Sequence, residues 1–422
     1  MSAREMSMNA QYRGVPTAGK TGGRRGPVPR GILYASPLWL LCSLVLLVSA
    51  CGPYPTSAQT GTGSVSAGTT PTQGNTTAQT PLPTLSTITL QVVNCPSFSL
   101  NWDNLVKTQQ HVNKVQRVVC GSLEGSGTLE ALVDVRYYAG NSRLDFYVYD
   151  NLYGTPQQTF AVKGLIDGDA EISQNGTIMT AEVGPKDAVQ TTPDIFKEYQ
   201  WNGSTFTQIL SPYLYPDMTT YQAERDNALV QQEQASNSAK KPDLWRLSGT
   251  QVASHLALNI FHWQNTSQQV TFNSKKTDTI IVQVTNVGPG GGGFVATLHH
   301  LYAASADIVE ITQFAPINGN ISLSSPAAGA LASSPIAVSG TTAANGNILG
   351  RVVVYSDTFI AVGDTGAIQH ATTSGYVQFA TSVNYTLNAT GTQVGLVVFY
   401  PTAQNNILVP DQAVMIKVFL AS

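Results

Sequence analysis

The chain has 422 residues, with 22 Lys+Arg, 25 Asp+Glu and a formal net charge of −3. Residues 1–50 contain six of the basic residues and one acid, so the rest of the chain keeps 16 against 24, a net charge of −8. This balance excludes a protein that binds nucleic acid through an overall basic charge. Charged residues are only 11% of the chain, and its many small polar residues are typical of exported β-rich proteins.

The first fifty residues have the layout of an export signal. Basic residues precede a charge-free apolar run, "GILYASPLWLLCSLVLLVSA". The run ends in Val48-Ser49-Ala50-Cys51, which resembles the lipobox of bacterial lipoproteins. The resemblance implies cleavage before Cys51 and a diacylglyceryl group on its thiol. Residues 1–50 would then be a signal peptide, whereas an uncleaved anchor remains the alternative, since twenty apolar residues can span a bilayer.

Lipidation would hold the protein at the cell membrane on its extracytoplasmic face. Cys42, within the apolar run, has no lipobox around it. Only Cys95 and Cys120 then remain, and in an oxidising compartment this pair predicts a disulfide. Two buried thiols or a metal site are the alternatives, although two thiols without further ligands make a poor zinc site.

Composition then divides the chain into a tether and a first folded region. Residues 51–88 are rich in Ser, Thr, Gly and Pro and nearly free of large apolar side chains, which predicts a disordered tether. Short alternating runs over 89–212 predict a mainly antiparallel β domain. Asn202-Gly203 lies between two alternating aromatic runs and is the clearest hairpin signal.

Two further segments follow. Residues 213–242 are polar and predict a helical connector, with Asp217 or Thr219 available as a cap. Residues 243–317 predict a small α+β module. Its helix carries Val252, Leu256, Ile260 and Trp263 at helical spacing, and strands follow it.

The last block, residues 320–422, contains "SSPIAVSGTTA", "GRVVVYSDT", "TQVGLVVFYPTAQNN" and "VPDQAVMIKVFLA". These strands and Ser-Pro turns resemble the immunoglobulin-like domain of bacterial spore-germination proteins. The resemblance implies a β-sandwich without a catalytic element. Regularly spaced short strands predict the same sandwich independently.

Several patterns that could carry chemistry are better explained by structure. His255, His262, His299 and His300 lack the convergence of a metal site. The segments 121–133 and 166–176 resemble incomplete calcium loops. "GPGGGGF" joins two strands and lacks the Lys-Ser/Thr of a phosphate loop. The tryptophans fall in core-like patterns, so we predict no metal, no cofactor and no catalytic residue.

The sequence therefore predicts a mainly β multidomain protein: an N-terminal antiparallel β domain, a small α+β module and a C-terminal immunoglobulin-like β-sandwich. The predicted function is non-catalytic binding or scaffolding at the cell envelope, with a link to sporulation or germination suggested by the domain resemblance alone. The expected partners are the membrane, through the lipid on Cys51, and a cell-wall polymer or another envelope protein. A solute-binding lipoprotein of a transporter and a cell-wall-modifying hydrolase are the alternatives.

Overall fold

A computed structural model describes residues 93–95, 100–138, 142–185, 192–236, 244–288, 292–301, 307–317, 321–344, 346–371, 374–402 and 413–422. The predicted signal peptide, Cys51 and the whole predicted tether lie outside these residues. Within them the fold is mainly β and multidomain, as predicted, with sheets that are almost entirely antiparallel. No helix among these residues is long and apolar enough to cross a bilayer.

The first sheet is an antiparallel meander in which neighbouring strands follow in chain order. A short helix, α1 (Trp102–Leu105), packs against one face of it. The strands are β1 (Val93–Asn94), β2 (Asn113–Gly121), β3 (Glu130–Tyr137), β4 (Leu144–Asp150) and β5 (Gln157–Leu165).

A second meander packs against the other face of the first sheet through a shared apolar core. Its strands are β6 (Asp169–Ile172), β7 (Ile178–Glu182), β8 (Ile195–Trp201) and β9 (Phe206–Ile209). The predicted hairpin forms between β8 and β9: the Asn202 side chain accepts the N–H groups of Ser204 and Thr205, each at 3.0 Å. Gly203 takes the left-handed conformation that this turn requires, with φ at 97°.

The connector is a helix, α2 (Thr220–Ala235), capped by Thr219, whose hydroxyl accepts the Gln222 N–H at 3.3 Å. It is polar overall, but one side is buried. Ala223 and Val230 are buried, and the side chain of Asn227 accepts the N–H of Ile308. The connector therefore packs against its neighbour along a thin stripe.

A third antiparallel sheet carries a helix on one face. Val252, Leu256, Ile260 and Trp263 are all buried, although the last two follow the end of α3 (Gly249–Asn259). A 3-10 turn, Leu244–Leu247, precedes α3. The strands are β10 (Thr266–Ser274), β11 (Thr279–Asn286), β12 (Gly293–His300) and β13 (Val309–Pro316).

The C-terminal block is a β-sandwich. One sheet has the order β14-β16-β20, and the other has the order β15-β22-β21-β17-β18, with β19 also paired to β17. The first segment of this block contains β14 and β15, which belong to different sheets. β14 pairs antiparallel with β16, and β15 pairs parallel with β22. This is the arrangement of an immunoglobulin-like sandwich. The strands are β14 (Ser322–Ser325), β15 (Leu331–Ser333), β16 (Ile336–Ala344), β17 (Ile348–Ser356), β18 (Ala361–Asp364), β19 (Ile368–Gln369), β20 (Gly375–Val383), β21 (Thr392–Pro401) and β22 (Val414–Ala421).

The larger sandwich sheet is buried on both faces. Val397 and Phe399 of β21 face the interior of the sandwich, whereas Leu396, Val398 and Tyr400 join the core of the α3 module. The Tyr400 hydroxyl also donates to the Ile260 carbonyl at 2.9 Å. This double burial explains why the β21 sequence is a continuous apolar run instead of an alternating one.

A buried lysine joins the sandwich to the connector. Lys417 of β22 is 9% exposed, and its ammonium donates to the backbone carbonyls of Ser211, Tyr213 and Met218, the last at 2.9 Å. Burial lowers the pKa of Lys417 to about 7, while Glu198, Glu310 and Asp357 raise it. These contacts hold the loop between β9 and α2 against the sandwich.

Two acidic side chains contribute to the same junction. Glu198 of β8 accepts hydrogen bonds from the hydroxyls of Thr177 and Thr220, each at 2.6 Å. Asp357, which follows β17, accepts the N–H of Phe196 at 3.0 Å and therefore ties the sandwich to the second meander. The described residues from Val93 onward accordingly form one compact unit by their contacts.

We expect Lys417→Met to lower the free energy of unfolding by roughly 3 kcal/mol, because it leaves three buried carbonyls without a donor. Urea unfolding at pH 7 measures the change. Lys275→Met, at an exposed position on the β10–β11 hairpin, is the matched control and should change stability by less than about 0.5 kcal/mol. Equal effects of the two substitutions would contradict the assigned role of Lys417.

Asp357 predicts a pH dependence of stability. Burial, with a smaller contribution from the nearby Asp194, raises its pKa to about 8. The folded state therefore binds a proton that the unfolded state releases near pH 4, so this stability is complete below about pH 4 and is lost as the pH rises to about 8. Asp357→Asn should flatten the fall in melting temperature between pH 5 and 8. Identical pH slopes for the wild type and the variant would contradict this account.

Candidate functional site

The predicted disulfide is confirmed. The Cys95 and Cys120 sulfurs lie 2.01 Å apart and their Cα atoms 4.9 Å apart. The bond joins the segment that follows β1 to β2 and closes a loop with a sequence separation of 25. A loop of this length typically contributes about 3 kcal/mol to stability. Cys51, the predicted lipidation site, lies outside the described residues and stays a prediction.

The histidines considered in the sequence are far from forming one centre. The His255 ring stacks on Trp245 with centroids 4.1 Å apart and an interplanar angle of 4°. The backbone N–H of His300 donates to Asp278 at 3.1 Å. Over the described ranges, no group of three or more His, Cys, Asp or Glu is placed to hold a metal ion.

Acidic side chains in or beside the two calcium-like segments contact protein groups. In the first, the buried Glu130 carboxylate accepts the N–H of Leu123 at 2.7 Å and the hydroxyl of Thr128 at 2.7 Å. In the second, Asp169 and Glu171 pair with Arg117 of β2 at 2.9 and 3.5 Å. The first contact closes a turn, and the second joins the two meanders.

The tryptophans and the glycine-rich segment have structural positions. Trp263 is 4% exposed within the core of the α3 module, and Trp201 and Trp245 are partly buried against core clusters. The glycine-rich segment connects β11 to β12, although residues 289–291 lie outside the described residues.

A shallow cleft lies at the start of β2, where α1 and the end of β3 meet. We name it the β2 cleft. Its volume is about 660 Å³, and it is broad and open. Its lining is polar except for one aromatic ring and consists of Asp103, Thr108, Gln110, His111, Asn113, Lys114 and Tyr138.

Short-range hydrogen bonds hold the frame of the β2 cleft. The Asp103 carboxylate accepts the Thr108 hydroxyl at 2.8 Å and the Val115 N–H at 3.4 Å. The Asn113 side chain accepts the N–H of Gln109 at 2.8 Å. Asp103 and Asn113 therefore fix the loop between α1 and β2.

The exposed side chains at the β2 cleft are suited to contact a polar ligand. Tyr138 is 57% exposed, and the Lys114 ammonium lies 5.7 Å from its ring centroid. Gln110 and His111 are exposed beside them. An exposed ring surrounded by amide, imidazole and ammonium groups can stack on a sugar ring and donate hydrogen bonds to its hydroxyls. Sequence reading missed this cleft because its residues are spread over 103–138 without a motif.

Comparison with known proteins adds little. No family model matches this chain, and no curated protein matches it. Among solved structures, the chain is similar to the C-terminally truncated trimeric ectodomain of the C. elegans fusion protein EFF-1, with 9% sequence identity. That match covers 72% of this chain and 67% of the other, and its TM-score of 0.15 carries no argument about fold or function.

Proposed function

We propose that this protein is a lipid-anchored, non-catalytic binding or scaffolding protein on the extracytoplasmic face of the cell membrane. The observation that carries the proposal is Val48-Ser49-Ala50-Cys51 at the end of a basic and then apolar leader. The Cys95–Cys120 disulfide supports it, because disulfides persist in oxidising compartments outside the cytoplasm.

The proposed partner is a polar cell-wall polymer bound at the β2 cleft. The cleft is broad and open and includes an exposed tyrosine, which suits a long chain better than a small enclosed solute. The resemblance of residues 320–422 to the spore-germination domain supports an envelope setting. Because the larger sandwich sheet is covered by the α3 module, the sandwich acts here mainly as a support.

Lipidation is tested by feeding cells a labelled fatty acid and isolating the full chain. We expect the label on the wild type and its loss, by tenfold or more, in Cys51→Ala, because only a thiolate at this position can be alkylated. Cys42→Ala is the matched control and should keep the label. Label retained in Cys51→Ala, or lost in Cys42→Ala, would contradict the assignment of the modified cysteine.

Polymer binding is tested by co-sedimentation of the detergent-extracted full chain with purified cell-wall sacculi. Tyr138→Ala should weaken pelleting about fivefold, since stacking on an aromatic ring is worth roughly 1 kcal/mol. Tyr153→Ala removes an equally large ring that is 80% exposed outside the cleft, and it should pellet like the wild type. Substitutions are preferable to deleting residues 320–422, because deletion would uncover the core that the sandwich shares. Equal pelleting of both variants would contradict polymer binding at the β2 cleft.

A further inference from the structure

Three exposed cations lie over tyrosine rings at one end of the first sheet. The distances from the charged groups to the ring centroids are between 5.5 and 5.7 Å, within the range of a cation–π contact. The pairs are Lys114 of β2 with Tyr138, Arg143 immediately before β4 with Tyr137, and Lys163 of β5 with Tyr147. We name these six residues the basic stripe.

Strand register brings the three pairs to the same end of the sheet. Asn113 pairs with Tyr137, Arg136 pairs with Leu144, and Leu144 pairs with Leu165. Each cation of the stripe lies within two residues of one of these positions along the chain. Neighbouring strands are about 4.8 Å apart, so the stripe crosses three such spacings, or about 14 Å.

A buried carboxylate fixes the middle of the basic stripe. Asp145 is 2% exposed. Its carboxylate accepts the Tyr137 hydroxyl at 3.0 Å and the Tyr147 hydroxyl at 3.4 Å. It also accepts the Gly164 N–H at 2.8 Å. One group inside the sheet therefore holds the rings beneath two of the cations, and it is not itself exposed to a ligand.

The basic stripe keeps its positive charges free of ion pairs. Other cations of the same two meanders, Arg117 and Lys197, pair with carboxylates at 2.8 Å. No salt bridge joins a cation of the stripe to any carboxylate that the structure describes. The stripe is therefore able to pair with negative charges supplied by a ligand.

The nearby exposed charges leave this end of the sheet positive. Asp103 lines the β2 cleft, where two hydrogen bonds hold its carboxylate, and Asp167 follows the end of β5 by two residues. Lys107, between α1 and β2, adds a fourth exposed cation. Four cations thus face two acids here, in a chain that carries −8 from residue 51 onward. This local reversal of charge favours an anionic ligand.

We propose that the polymer bound at the β2 cleft is an anionic polysaccharide of the cell wall, and that its charged groups lie along the basic stripe. The inference rests on the proposed function and names its substrate class. The stripe is continuous with the cleft, because Lys114 and Tyr138 belong to both. A sugar ring can stack on Tyr138 while the carboxylate or phosphate groups of the chain meet the three cations. Arg143 presents a planar fork that can hold one such group with two hydrogen bonds.

Shape favours a polymer over an anionic membrane surface. The β2 cleft, at one end of the stripe, is a concave opening of about 660 Å³, which a chain can enter and a flat lipid surface cannot. Its lining is polar apart from the Tyr138 ring, so it does not offer the apolar face with which proteins insert into the edge of a bilayer.

Co-sedimentation with two preparations of sacculi tests the substrate class. One preparation keeps its anionic polymers, and the other has had them removed by acid extraction. The detergent-extracted full chain should bind the first roughly fivefold or more tightly than the second, because the first presents repeated negative charge. The difference should shrink as the salt concentration rises, since exposed charges are screened.

Arg143→Gln and Lys163→Gln test the part of the stripe that lies outside the β2 cleft. Each should weaken binding to untreated sacculi about threefold, and the double variant should weaken it about tenfold, as expected for exposed charge pairs. Lys276→Gln removes an exposed cation from the β10–β11 hairpin and is the matched control, which should bind like the wild type. Thermal unfolding checks that every variant is folded.

Soluble competitors separate a polysaccharide from a lipid surface. Polygalacturonate should prevent pelleting with untreated sacculi, and neutral dextran should not. If phosphatidylglycerol in the detergent micelles competes as well as polygalacturonate at matched charge, the stripe binds a membrane surface and the proposal is overturned.

Failure of this inference is distinguishable from failure of the proposed function. Equal binding to both preparations of sacculi, unchanged in the Arg143→Gln/Lys163→Gln double variant, would overturn the anionic ligand and leave polymer binding at the β2 cleft, which Tyr138→Ala tests separately. A wild-type chain that pellets with neither preparation would overturn both.

Discussion

The arrangement of the folded part depends on one buried cation. Lys417 carries its ammonium from the last strand into an interior where three backbone carbonyls of the β9–α2 loop accept its hydrogen bonds. Burying a charge is costly unless its hydrogen-bonding capacity is filled. The loop therefore has one favourable position, and the two meanders, the connector and the sandwich take their places around it.

A network of acidic residues and an arginine lies at the same junction. Glu310 is fully buried and accepts the N–H of Asp217, which in turn pairs with Arg246 at 2.5 Å. Burial raises the pKa of Glu310 well above its ordinary value, and the neighbouring Asp217 raises it further. These groups lie deep between modules, whereas the β2 cleft lies at the surface. The buried charges thus define geometry, and the open cleft is the surface suited to a ligand.

Local chemistry made several elements predictable. The Asn202-Gly203 turn, the Thr219 cap of α2 and the Cys95–Cys120 pair depend on residues close in sequence or on the small number of cysteines available. The β21 run "VGLVVFY" belonged to the strand pattern from which the sandwich was predicted. The β21 sequence does not show which element covers the second face of the strand. That face is covered by the α3 module, which is distant in the chain.

By itself, the sequence determined the mainly β class, the hairpin, the cap of α2 and the disulfide, because each depends on short-range sterics, hydrogen bonding or cysteine count. Its leader and Cys51 also carry the proposal about location. Tertiary structure alone decided that Lys417 meets the loop at Ser211 and that Asp103 and Tyr138 line one cleft. These contacts join residues through packing of whole sheets, and no periodicity or motif in one segment encodes the position of another.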